Sequence, residues 1–109
     1  MLSKCIVNAH YVPNNLFTEV LLVGIDRQAS EHRYRALASE RIRGVLGQEA
    51  QVNLTPGRID DMSITAEVPD HLKERGKALI GKATMVIHRH LDDIRRSRGW
   101  LVPMPMGKA

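Results

Sequence analysis

The chain lacks most of what would announce a function. Its single cysteine, Cys5, cannot form an intrachain disulfide, which suits a reducing compartment, and the expected location is cytoplasmic. No stretch approaches the roughly 20 apolar residues that a membrane-spanning helix needs. Residues 1–5 also lack the apolar core and small-residue cleavage site of a signal peptide. The only aromatics are Tyr11, Phe17, Tyr34 and Trp100, and Tyr11, Tyr34 and Phe17 fall at positions expected inside, so no platform for stacking bases is visible.

Catalytic and cofactor motifs are missing as well. Gly76 and Gly81 stand inside helical sequence without the flanking pattern of a phosphate loop. No nucleophile elbow and no His-Glu-x-x-His element occurs. His88 and His90 are two residues apart, so on a helix they point roughly 200° apart and cannot face one metal. His90 lies in an apolar stripe, where a hydrogen-bonded core histidine is expected; His88 lies on the polar side. Asp60-Asp61 follows Pro56-Gly57, a context in which carboxylates shape turns. Cys5 sits on the apolar side of a strand, as a packed thiol does. These absences predict no enzyme, no metal and no cofactor, with a small enzyme of scattered site residues as the remote alternative.

What is present describes one ordinary folded domain. The 109 residues are 43% apolar and 26% charged, a composition and size that support an unaided core. The net charge of +4 is uneven. Residues 69–99 hold Lys73, Arg75, Lys77, Lys82, Arg89, Arg95, Arg96 and Arg98 against Asp70, Glu74, Asp92 and Asp93. Residues 30–46 add four arginines against two glutamates. The basic excess therefore belongs to two helical segments.

Residues 4–12 alternate, with Cys5, Val7, Ala9 and Tyr11 on one side, and predict a half-buried strand. Pro13-Asn14-Asn15 reads as a turn. Residues 16–26 include the apolar run Val20-Leu21-Leu22-Val23 and predict a second strand, forming a hairpin with the first. Ser30 is the expected N-cap of a helix with Tyr34, Leu37, Ala38, Ile42, Val45 and Leu46 on one face and Gly47 at its end. Arg41 falls within that stripe, where a snorkelling stem is expected over a buried ion pair. Residues 51–55 and 62–68 predict a second hairpin about Pro56-Gly57. Pro69 opens a long helix ending before Gly99, with Leu72, Gly76, Leu79, Ile80, Ala83, Val86, Ile87, Leu91 and Ile94 in its stripe. The expected fold is α+β in the order ββαββα: a two-layer sandwich of a four-stranded, mainly antiparallel sheet with two helices on one face. Residues 1–99 form the domain, and residues 100–109 an apolar, Pro/Met-rich tail.

Two surfaces remain as candidate sites. Arg89, Arg95, Arg96 and Arg98 are the expected contacts with an acidic partner. The competing account is a solvated face, self-paired through Arg89–Asp93 and Asp92–Arg96 at i,i+4. Trp100, Met104 and Met106 are the expected apolar contacts, since tryptophan and methionine are enriched at interfaces. Here the competing account is a tail folded over its own domain. The function expected is that of a small adaptor or inhibitor docking on another protein or a nucleoprotein assembly, with a second copy as a further candidate partner. The alternative is a nucleic-acid-binding domain contacting phosphates directly. A membrane partner is not expected.

Overall fold

The computed structural model describes residues 3–17 and 24–104. In chain order these form β1 (Ser3–Tyr11), the single turn α1 (Pro13–Leu16), α2 (Arg27–Leu46), β2 (Gln51–Pro56), β3 (Asp61–Glu67), a 3-10 turn at Asp70–Leu72, and α3 (Lys73–Ser97). The chain is a mixed α+β fold with a three-stranded sheet in the order β2-β1-β3. β1 pairs with β2 in parallel and with β3 antiparallel. No described helix is long and apolar enough to cross a membrane.

Among the described residues the sheet has three strands where four are expected, and the expected second hairpin is corrected. Both edges of β1 are occupied among the described residues, one by β2 and the other by β3. Leu16, expected to start a strand, ends α1, and Phe17 beyond it is buried. The apolar run at 20–23 lies outside the described residues. β2 and β3 are not neighbours either: β1 runs between them, and residues 57–60 cross its end. That crossing is fastened at two points. The Gly57 N–H donates to the Tyr11 carbonyl at 2.9 Å, and the Val12 N–H donates to Asp60 Oδ1 at 3.0 Å. A Cβ at 57 would stand 3.0 Å from the Cβ of His10, a tight contact to which His10 would have to yield.

Alternation fixes which sheet face is covered. Cys5, Val7, Ala9 and Tyr11 are buried, whereas Ile6, Asn8 and His10 face outward. In register with them, Val52 and Leu54 of β2 and Met62 and Ile64 of β3 point to the covered side. One core cluster joins that side to Tyr34, Ala38 and Ile42 of α2 and to Ile87 and Ile94 of α3. Apart from exposed Ile6, the outward face is polar and bonded to itself. Asn53 donates to Asn8 at 2.9 Å, and His10 and Asp61, which are register partners, meet at 2.6 Å.

Helix α2 begins one turn before the expected cap. Asp26 is the N-cap and accepts from the Ala29 N–H at 3.1 Å. Ser30 instead lies wholly buried inside the helix, where its hydroxyl donates to the Asp26 carbonyl at 2.7 Å and accepts from the Val102 N–H at 2.8 Å. Asp26 N–H also donates to the Val102 carbonyl at 2.8 Å, and Met104 N–H to the Gly24 carbonyl at 2.8 Å. Residues 101–104 thus run against 24–30, with an antiparallel bridge between Ile25 and Pro103. Helix α3 starts after the 3-10 turn rather than at Pro69, and its C-cap, Arg98, takes a left-handed φ of 56°. Near its start, Gly76 is buried against Val68; a Cβ there would come within 2.8 Å of both Val68 methyl carbons.

The four aromatics form one connected row. Tyr11 meets Tyr34 with ring centroids 5.7 Å apart, Tyr34 meets Trp100 edge-on at 5.6 Å, and Trp100 meets Phe17 edge-on at 5.4 Å. Arg27 caps the row, 4.8 Å above the Phe17 ring. Trp100 is fully buried, and its indole N–H donates to the Arg95 carbonyl at 3.2 Å. That bond satisfies one of the carbonyls a helix leaves open in its last turn.

Candidate functional site

Two regions gather functional side chains, and helical periodicity separates them. Along the outer side of α3, Arg75, Lys82, Arg89 and Arg96 recur every seven residues and are all exposed. At 1.5 Å per residue they make a line of cations about 31 Å long. Between the middle two lie Met85, 69% exposed, and Val86, 36% exposed. Lys82, Met85, Val86 and Arg89 follow the i, i+3, i+4, i+7 spacing of a single helix face. None of the four cations has an ion-pair partner among the described residues. The self-paired alternative does not form: Asp92 lies 3.5 Å from Arg95, and neither Arg89–Asp93 nor Asp92–Arg96 is an ion pair.

The second region is a cleft of about 190 Å³ at the C-terminal end of β1, walled by β3 and α3. Its polar lining includes His10, Tyr34, Asp60, Asp61, Asp92 and Arg95, and its apolar lining Leu16, Leu54, Met62 and Leu91. Asp60 is fixed by the Val12 N–H and, more distantly, by Asn15 Nδ2 at 3.4 Å. This is the turn-shaping role expected for the Asp60-Asp61 pair. Burial, and then the charge of Asp60, pushes the Tyr34 hydroxyl up to about 12. Arg95 partly opposes this shift and Asp92 adds to it. Tyr11 is also pushed up, first by burial and then by donating to Glu31 Oε1 at 2.5 Å.

The expected contact residues are thereby divided. Arg89 and Arg96 share the outer line, Arg95 turns to the cleft, and Arg98 caps the helix. Trp100, expected to meet a partner, has no exposed surface because its ring fills the core between Phe17 and Tyr34. Met104 is 48% exposed, and Met106 lies outside the described residues. Arg41 reaches across from α2 and donates to Nδ1 of half-buried His90 at 3.1 Å. This gives that histidine a hydrogen-bond partner, and Arg41 a partner in place of a free snorkelling end. No group of three potential metal ligands exists among the described residues.

Sequence reasoning missed the cleft and missed Tyr34 as anything but core. The heptad spacing of the four cations was readable, but their freedom from intrahelical pairing was not. No family model, no curated protein and no solved structure matches this chain.

Proposed function

We propose that this chain is a small, non-catalytic binding protein that docks through the outer face of α3 on an acidic surface of another protein or nucleoprotein assembly. The observation that carries this reading is the line of four unpaired cations enclosing exposed Met85 and Val86. Charges left unpaired over such a length raise the local potential and speed encounter with an acidic partner. The two apolar side chains at the centre add desolvation that phosphates alone would not reward. Direct nucleic-acid binding draws less support, because all four aromatics are buried and none is free to stack on a base.

The finer expectations belong to the same proposal. A two-layer arrangement, with both long helices against the covered sheet face, is supported by the single core cluster that includes residues of both. It would leave the outer side of α3 free. A reducing, cytoplasmic setting is supported by a lone cysteine that is buried and unpaired.

Affinity capture with and without nuclease tests the reading. A protein partner that survives nuclease supports it. Recovery of nucleic acid alone, lost at high salt, would put the phosphate-binding alternative in its place.

A further inference from the structure

We infer that the element seated on the outer face of α3 is itself an α-helix, one carrying carboxylates at seven-residue spacing with apolar side chains between them. This rests on the reading of that face as the docking surface, and adds the kind of partner that fits it. Arg75, Lys82, Arg89 and Arg96 are exposed and lie seven residues apart, so they recur roughly every 10.5 Å along the axis. A second helix repeats its own side chains at that same interval and can answer each cation in turn. A β-strand repeats each face about every 6.7 Å, so it meets one cation and misses the next.

Seven residues also fall short of two full turns by about 20°, so the line drifts slowly round α3. From Arg75 to Arg96 the drift reaches about 60°. A partner helix crossing at about 20° follows it, the angle at which helices pack side by side in coiled coils. The surface between the cations allows close approach. Ala78 is exposed, and a Cβ at Gly81 would have nothing within 4 Å. An apolar side chain of the partner can therefore reach the helix surface beside Gly81 and meet exposed Met85 one turn on.

The charges select the partner's sign. Two acids near the line are engaged off it, Glu74 with Lys77 at 3.9 Å and Asp92 with Arg95 at 3.5 Å. Asp93 is exposed and marks the place where the partner gains from a cation of its own. A second copy of this chain offering the same face would set cations against cations, which like-charge repulsion opposes.

The test is fluorescence anisotropy of labelled peptides of about 25 residues, titrated with the intact chain. The first peptide is helical, with glutamate at every seventh position and leucine three and four residues after each. The second has the same composition and stays helical but scrambles that spacing. The third keeps the order of the first and carries two interior prolines, which bar the helix. A DNA duplex is the fourth probe. The first peptide should bind saturably, and at least roughly tenfold more tightly than the other three. Lys82→Glu with Arg89→Glu should weaken it by about tenfold or more, and Met85→Ala several-fold, with melting temperatures unchanged. Lysine in place of the first peptide's two central glutamates should recover the binding lost in the double variant.

Equal affinity for the second or third peptide, with the double variant still impaired, would overturn the helical partner and leave the docking face standing. Tighter binding of the duplex, or binding of the first peptide that the double variant keeps in full, would overturn both. No saturable binding of the first peptide would also overturn the helical partner. The docking face would then be decided by whether the captured protein partner depends on Lys82 and Arg89.

Discussion

The tail at residues 100–104 and the outer face of α3 are neighbours in sequence and opposites in fate. Both carry the residue types that mark interfaces, with Trp100 in one and Lys82 and Arg89 flanking Met85 in the other. The tail is drawn inward. Trp100 has aromatic neighbours on two sides, a carbonyl for its N–H, and Ser30 waiting for the backbone two residues later. The outer face of α3 has no such receivers. Its cations stay exposed and unpaired around two exposed apolar side chains. An apolar segment becomes core when the fold offers it matching hydrogen bonds as well as apolar contact. A face for which the fold offers neither is left for something else.

The largest expected effect breaks the inward half of that contrast. Trp100→Ala should cost about 3–5 kcal/mol, read from chemical denaturation. That is a large part of the roughly 5–15 kcal/mol that keeps a domain folded. Truncation after Gly99 should likewise unfold the chain, so it cannot serve as a test of tail-mediated binding. Ser30→Ala comes next. It removes the acceptor of the Val102 N–H at a fully buried position and should cost about 1–3 kcal/mol. If it were neutral, residues 101–104 would be only loosely attached.

Alkaline pH probes the aromatic row at Tyr34. Its folded hydroxyl value is raised to about 12, above the ordinary value near 10. The native state therefore holds its proton more tightly than the unfolded chain. Stability from this source is complete below about pH 10 and is lost as pH climbs through about 12. At pH 11, Tyr34→Phe should have lost less stability than the parent relative to pH 8, by on the order of 1 kcal/mol. An identical loss in both proteins would mean that Tyr34 ionises as freely folded as unfolded.

What the sequence could reveal followed from local periodicity. The alternation of Cys5, Val7, Ala9 and Tyr11 gave the correct face of β1. Met62 and Ile64 gave that of β3, and the stripe through Ile87 and Ile94 gave the inner side of α3. What it hid depended on distant pairing. The hairpins were inferred from chain proximity, whereas β1 takes a parallel neighbour after α2 and an antiparallel one after that. Ser30 looked like a cap because its type favours caps. Asp26 takes that place instead, in a stretch whose backbone bonds to residues 102–104. Trp100 was legible as apolar but not as core, since its partners Tyr34 and Phe17 lie far upstream. The cleft draws on β1, α1, α2, β2, the 57–60 crossing, β3 and α3, and no single stretch of sequence carries such a site.

The smallest effect on stability accompanies the most direct test. Lys82→Glu with Arg89→Glu replaces two exposed, unpaired cations, and stability should stay within about 0.5 kcal/mol of the parent at each site. Binding of the double variant to the nuclease-resistant partner captured by the parent protein is therefore the decisive measurement. Loss of that partner with an unchanged melting temperature is the expected result. Partner binding at the parent's affinity would contradict the assignment of the outer face of α3 as the docking surface.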